Sequence, residues 1–319
     1  MLSAGFISFG GAKLLQTNLD FISRIYTEHM RSWKLYLFAL ALLVFITGSI
    51  WYVAHQFERE PVLTVAFLDI GQGDSIFIES PSGKQMLIDG GPDKHVIQQL
   101  SRVMPFFDRS VDVVLNTHPD KDHIGGLPEI LRRYDVSYVM DPGIESDSGT
   151  YGYYIQLVEQ EIQKGGKYIE ARRGQIINFQ DGAYVRILFP DRDVSAVTNN
   201  NNASIVVQVV YGNTEVMLTG DAPQSIEKYV VALDGATLKS DILKAGHHGS
   251  RTSSSPEFVR AVSPTYAIIS AGKDNQYGHP HKEVMQLFAS SSIQTLATYD
   301  LGIIIFESDG KTVKVESGM

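Results

Sequence analysis

The chain is predicted to be α/β, with two mixed sheets packed together, helices on the outside, and a single transmembrane helix in front. Three observations predict this. Short strand signals alternate with helical ones from residue 62 onward, tight-hairpin signals occur in both halves, and residues 35–54 form an apolar run with no charge.

Residues 1–34 are expected to form an N-terminal segment, with a glycine-rich start between Gly5 and Gly11 and an amphipathic stretch over 14–30. It reads as the tail of something longer. Residues 35–54 have the length needed to cross a bilayer core as a helix. Lys13, Arg24, Arg31 and Lys34 precede the span, and Glu58, Arg59 and Glu60 follow it. The excess of basic residues on the N-terminal side places that end in the cytoplasm and the large domain outside. Trp33 and Trp51 stand near the two ends as interfacial anchors. A cleaved signal peptide fits less well, because both the charged region and the apolar run are too long. A linker is expected over 55–61 and one folded domain over 62–319.

Within that domain, strands are expected at 62–70, 75–79 and 85–89, separated by glycine-rich turns. A helix follows at 95–104, and the near-continuous apolar run 111–117 reads as a buried strand. Helices are expected at 127–134 and 153–164, then short strands at 175–179 and 184–189. Segments 204–211 and 215–219 flank Gly212-Asn213, a tight hairpin turn. The remainder reads as helix 225–233, strand 240–245, helix 257–262, strand 266–270 and helix 281–290. A last hairpin joins 302–307 to 312–315 around Asp309-Gly310.

Hydrophobic residues make up 44% of the chain and charged residues 20%, which suits a folded domain of roughly 260 residues after the span. There is no cysteine, which excludes disulfides, thiolate metal sites and a cysteine nucleophile. The net charge of −9 argues against tight non-specific nucleic-acid binding, which needs Lys and Arg to neutralise phosphates. Metal-bound carboxylates or a local basic groove would soften that argument.

The densest chemistry lies in His118-Pro119-Asp120-Lys121-Asp122-His123-Ile124-Gly125-Gly126, which follows the 111–117 strand. Two imidazoles and two carboxylates within six positions are ligands suited to hydrolytic zinc, manganese or iron. Four more polar segments stand beside expected elements. Asp89-Gly90-Gly91 ends the third strand and Gly220-Asp221 ends strand 215–219. Lys244-Ala245-Gly246-His247-His248-Gly249-Ser250 ends strand 240–245, and Tyr277-Gly278-His279-Pro280-His281 precedes a helix. A Gly-Asp pair alone is usually a turn. Five such segments at one sheet edge form a metal-site pattern.

The order Asp-Gly-Gly, His-x-x-x-Asp-His, Gly-Asp and late Gly-His resembles the metallo-β-lactamase superfamily. More narrowly, five segments resemble the C-terminal hydrolase domain of ComEC-type DNA-internalisation competence proteins. They are Asp69-Ile70-Gly71-Gln72-Gly73-Asp74-Ser75, Leu87-Ile88-Asp89-Gly90-Gly91, the Asp120 variant of the histidine loop, Asn202-Ala203-Ser204 and His247-His248-Gly249-Ser250. The resemblance implies an αββα sandwich and one or two divalent ions, zinc or manganese. In that family the domain usually follows a multi-pass channel, whereas one span precedes it here.

The resemblance further implies one metal group of His118, Asp120 and a bridging Asp221. A second group would hold Asp122, His123, Asp221 and either His247 or His248, with His247 preferred because it directly follows Gly246. Asp120 stands where the superfamily commonly has histidine, and Asn202 or Ser204 takes another histidine position. The first group is thereby harder and favours manganese. Asp120 or Asp122 would orient the attacking water, and His279 would protonate the leaving group or contact phosphate. Asp89 would orient a ligand histidine. Lys244 and Ser250 would contact a phosphate, with a solvated Lys and an N-cap Ser as the plain alternatives.

The function expected is a membrane-anchored, extracytoplasmic metallo-hydrolase acting on phosphodiesters such as single-stranded DNA. Its rivals are hydrolysis of small esters or cell-wall phosphodiesters, and a degenerate DNA-binding module beside a membrane-channel partner.

Overall fold

The computed structural model describes residues 10–56 and 61–318, which fall into two units divided after residue 60. The glycine-rich start up to residue 9 and the linker residues 57–60 lie outside the described residues. The described residues of the first unit form one continuous helix, α1 (Gly10–Gln56, 47 residues). The amphipathic stretch and the apolar run therefore share a single helix, since neither proline nor a turn signal separates them. At ~1.5 Å per residue, α1 exceeds the ~30 Å of a bilayer core. Its apolar window has mean hydropathy 2.0 and none of it is buried, so α1 is a candidate membrane span by length and composition.

The second unit runs β1 (Leu63–Phe67), β2 (Ile76–Glu79), β3 (Gln85–Ile88), α2 (His95–Val103), β4 (Ser110–Leu115), α3 (Lys121–Ile124), α4 (Leu127–Arg133), β5 (Asp135–Asp141), α5 (Gly149–Lys164) and β6 (Lys167–Glu170). It continues through β7 (Ile176–Asn178), β8 (Ala183–Phe189), β9 (Val206–Tyr211), β10 (Thr214–Leu218), α6 (Gln224–Asp234), β11 (Ile242–Lys244), α7 (Pro256–Val262), β12 (Tyr266–Ile269), α8 (Lys282–Ser290), β13 (Gln294–Ala297), α9 (Thr298–Leu301), β14 (Ile304–Ser308) and β15 (Val313–Ser317). One sheet has the order β15-β14-β1-β2-β3-β4-β5-β6, the other β13-β12-β11-β10-β9-β8-β7. In each sheet an antiparallel part joins a parallel one: β3 to β6 are parallel in the first, β10 to β13 in the second.

Alternation along the strands explains the layers. Met86 and Ile88 of β3 and Val216 and Leu218 of β10 point between the sheets, where they share one core with Val65, Val185 and Ile268. Leu87 points outward against the helices carrying Leu100, Ile130 and Tyr154. Met217 and Leu243 point outward on the other side, onto Val230, Phe258 and Phe288. The layers are helix, sheet, sheet, helix, as the sequence predicts.

Strands β5, β6 and β13 are absent from the sequence reading. β5 follows α4 with a single residue between, leaving no turn signal, and β6 is a sheet edge whose sequence KYIE is half charged. The expected turn at Gly212-Asn213 forms, pairing Tyr211 with Thr214. Gly212 has φ +58 there, and a Cβ on it would stand 2.2 Å from the Gly310 carbonyl oxygen.

Candidate metal centre

The C-terminal ends of β3, β4, β10 and β11 converge, and the loops leaving them carry the polar segments. Crevices outside the carboxyl ends of parallel strands are where ligands bind in such sheets. Beyond β4 the chain enters Asn116–His118 and then a single helical turn, α3, with Asp120 at its N-cap. Gly73 allows that turn to close down. Its φ is +131, and a Cβ there would lie 2.1 Å from the Asp122 carbonyl oxygen.

Each imidazole is held through Nδ1 so that Nε2 turns inward. His123 Nδ1 donates to Asp89 Oδ2 at 2.8 Å, while Asp89 also accepts from the Thr117 amide and hydroxyl, both at 2.7 Å. With the Thr117 hydroxyl proton committed to Asp89, His118 Nδ1 donates to Thr117 Oγ1 at 3.0 Å. His248 Nδ1 donates to the Ser270 carbonyl at 2.9 Å. His247 Nδ1 meets Thr252 Oγ1 at 3.1 Å. Fixing the outer nitrogen in this way is how proteins orient imidazole ligands.

The inward atoms meet at Asp221. Its Oδ1 lies 3.4 Å from His123 Nε2, and its Oδ2 lies 3.5 Å from Nε2 of both His247 and His248. His248 Nε2 is also 3.3 Å from Asp122 Oδ2. One ligand atom from each of Asp122, His123, Asp221 and His248 falls within 4.8 Å of all the others. Among the described residues, Nε2 of His118, His123 and His248 and Oδ1 of Asp221 are buried and make no hydrogen bond. Orphaned polar atoms in a buried cluster are costly unless something binds them. Two imidazole nitrogens and two carboxylate oxygens suit a divalent ion of the zinc or manganese type.

The histidine pair reaches Asp221 through unusual backbone. His247 and His248 both lie in the left-handed region, at φ +50 and +56, which costs residues with a Cβ roughly 1–3 kcal/mol each. The His248 ring is buried, whereas the His247 side chain is 27% exposed. The geometry thus puts His248 in the four-ligand group and His247 on its open side, the reverse of the order that Gly246 suggests.

Charge couples the cluster. Burial resists ionisation of Asp221, but His248 and His123 outweigh it and hold its carboxyl well below the usual range. Burial likewise opposes the charged forms of the two imidazoles. The facing carboxylates prevail, raising His248 to about 9 and His123 well above its ordinary value. Asp122 is also held low, His248 and His123 outweighing its burial. His279 goes the other way. Desolvation, then His247 and His248, lower it to about 4, so its ring is neutral at pH 7.

The other expected residues fall as follows. Asp120 lies 3.6 Å from His118 Nε2, is 41% exposed, and accepts from Asn200 Nδ2 at 2.6 Å. Among the described residues, these two ligands do not join a third within 4.8 Å. Asn200 occupies the position by Asp120 where Asn202 or Ser204 is expected. Asn202 sits in the same turn with its amide donated to the Asn199 carbonyl, and Ser204 is buried with its hydroxyl making no hydrogen bond among the described residues. Lys244 is wholly buried rather than solvated, and its ammonium pairs with Asp74. Ser250 is buried rather than open to a ligand. Its hydroxyl accepts from Thr252 at 3.0 Å, and the nearby helix cap is Ser255, on α7. His279 packs its ring against His247 at 5.4 Å between centroids.

Sequence reasoning missed Asp74 and Asn200 as site residues. Asp74 is buried, with Oδ1 3.3 Å from His248 Nδ1 and Oδ2 against Lys244. Its signal was its place in the Asp-Ile-Gly-Gln-Gly-Asp-Ser segment, and Asn200 lay in the Asn199–Asn202 run.

The family model for the metallo-beta-lactamase superfamily matches residues 68–273, more than half of the chain. The chain belongs to the metallo-beta-lactamase superfamily. It is similar to ComE operon protein 3 of Bacillus subtilis (strain 168), with 33% identity over 258 residues, covering 75% of this chain and 32% of that protein. It is similar also to Competence protein ComA of Neisseria gonorrhoeae, with 30% identity over 253 residues, covering 78% of this chain and 32% of that one. The chain therefore spans about a third of the length of these relatives. Among solved structures, CmlA, a diiron beta-hydroxylase from Streptomyces venezuelae, has TM-score 0.48 and 15% identity, covering 73% of this chain and 52% of that one.

Proposed function

We propose that this superfamily member is a membrane-anchored, metal-dependent phosphodiesterase whose domain lies outside the cytoplasm and acts on single-stranded DNA. The observation that carries the reading is the Asp122, His123, Asp221 and His248 group, whose inward nitrogens make no hydrogen bond among the described residues. Zinc or manganese fits that donor set. The chemistry such an ion supplies when bound is Lewis-acid neutralisation of phosphoryl charge and acidification of water.

The chain's own residues supply the rest. Asp122 and Asp120 face the open side and are suited to accept a proton from water and align it. His279, neutral and packed edge to face against His247, is suited to hydrogen-bond a phosphate oxygen. Its lowered pKa weighs against the leaving-group acid expected of it. Exposed Lys121 and Arg251 follow Asp120 and Ser250 and offer charge for a backbone phosphate. Tyr277 is 56% exposed and lies nearly parallel to His279, 5.7 Å between centroids, a surface on which a base can stack. The competence relatives support DNA as the substrate, α1 supports the anchor, and the basic residues before the span support the orientation.

One observation favours the degenerate DNA-binding reading: Asp120 replaces an imidazole and is held by Asn200. Cleavage of labelled single-stranded DNA with manganese or zinc separates the two. The phosphodiesterase reading expects metal-dependent cleavage that Asp221→Ala lowers at least 100-fold. DNA binding without cleavage would support the degenerate module, and cleavage confined to small esters would redirect the substrate.

A further inference from the structure

Lys244 ends β11 of the second sheet, and Asp74 lies in the β1–β2 loop of the first. Their ion pair closes the inner wall of the centre, and both side chains are buried. The same ammonium lies 3.9 Å from Asp221 Oδ1 and donates to the Gly220 carbonyl at 3.5 Å. Asp221 is the carboxylate that two ions would have to share. Its Oδ2 faces His247 and His248, while its Oδ1 faces His123 and this ammonium.

The two candidate groups are unequal. Four ligand atoms converge at Asp122, His123, Asp221 and His248, whereas His118 and Asp120 bring no third ligand within the same distance among the described residues. Asp120 is also engaged by Asn200. We infer that Lys244 is a resident cation of the centre, which limits it to one tightly held divalent ion. A second ion drawn to Asp221 Oδ1 meets a fixed positive charge 3.9 Å from that oxygen, where water is excluded and screening is weak. Asp74, Asp89 and His123 also bring ligand atoms within 4.8 Å of one another, but the ammonium balances Asp74, and that carboxylate steadies His248 rather than offering free charge to a second ion. Lys244 acts here as a positioning residue, through Asp74 and Asp221.

The inference rests on the reading of the cluster as a metal centre. Its test counts ions and not turnovers. The full chain in detergent micelles is loaded with excess manganese or zinc, desalted, and its metal measured by mass spectrometry against protein concentration. The wild type is expected to retain one ion per chain, and Lys244→Met, which keeps the aliphatic length without the charge, more than one. Because Lys244→Met removes the ammonium that pairs with Asp74 Oδ2, Asp74→Asn/Lys244→Met is measured beside it. That double variant leaves a buried neutral pair and is also expected to exceed one ion. Two ions in the wild type, or a single ion in both variants, would overturn the inference and leave the phosphodiesterase reading standing. The expected counts, found beside a failure of the separate DNA-cleavage assay, would uphold the inference and overturn the phosphodiesterase reading. No retained ion would end both.

Discussion

At the scale of single residues, the partner that holds the outer nitrogen of each imidazole sets the geometry of the centre. Asp89 fixes both Thr117 and His123, so Asp89→Asn removes the charge that sets the His123 tautomer. Metal affinity is expected to fall by about 10- to 100-fold, read by competition with a chelator. Glu227, on α6, gives a second test away from the ligands. It is buried and accepts the Ser254 and Ser255 amides at 2.6 Å each, yet burial outweighs these bonds and raises it from 4.5 to about 7. A raised acid binds its proton more tightly when folded. Its contribution is therefore fully present below pH 4.5 and is lost as pH rises through 7, a loss on the order of 3 kcal/mol. The difference in stability between wild type and Glu227→Gln should shrink by that amount from pH 4.5 to 8, measured by denaturant unfolding. A pH-independent difference would refute it. The ligand loop was legible in the sequence because its groups crowd into six positions. Asp74 and Asn200 were not, since each meets its partner only when distant segments fold together.

At the scale of elements, loops after parallel strands carry the chemistry and the glycines beside them set its geometry. Gly73→Ala puts a methyl group into the Asp122 carbonyl at a positive φ. It should cost on the order of 2–3 kcal/mol and displace Asp122, read as a lower melting temperature with weaker metal retention. Unchanged melting would mean that the loop does not lean on this approach. The apolar runs and the hairpins at Gly212 and Gly310 were readable because a two-residue period and a turn dipeptide are local signals. β6 was not, because an edge strand is stabilised by its neighbour and carries charge outward.

At the scale of the whole molecule, α1 and the folded unit raise the question of which side of a membrane the centre faces. Protease added to intact cells is expected to digest residues 61–318, and protection of that unit while an extracytoplasmic control is cut would contradict the proposed orientation. The two-sheet architecture was legible from strand and helix alternation. The assignment of the histidine pair was not, because adjacent residues in left-handed conformations turn both rings toward one carboxylate. Asp122, His123, Asp221 and His248 are proposed to hold the ion. Electron spin-echo spectroscopy of the manganese-loaded chain tests this most directly by counting coordinated imidazole nitrogens. Couplings from two imidazoles are expected, falling to one in His248→Ala and staying at two in His247→Ala. Loss of a coupling in His247→Ala alone would contradict it.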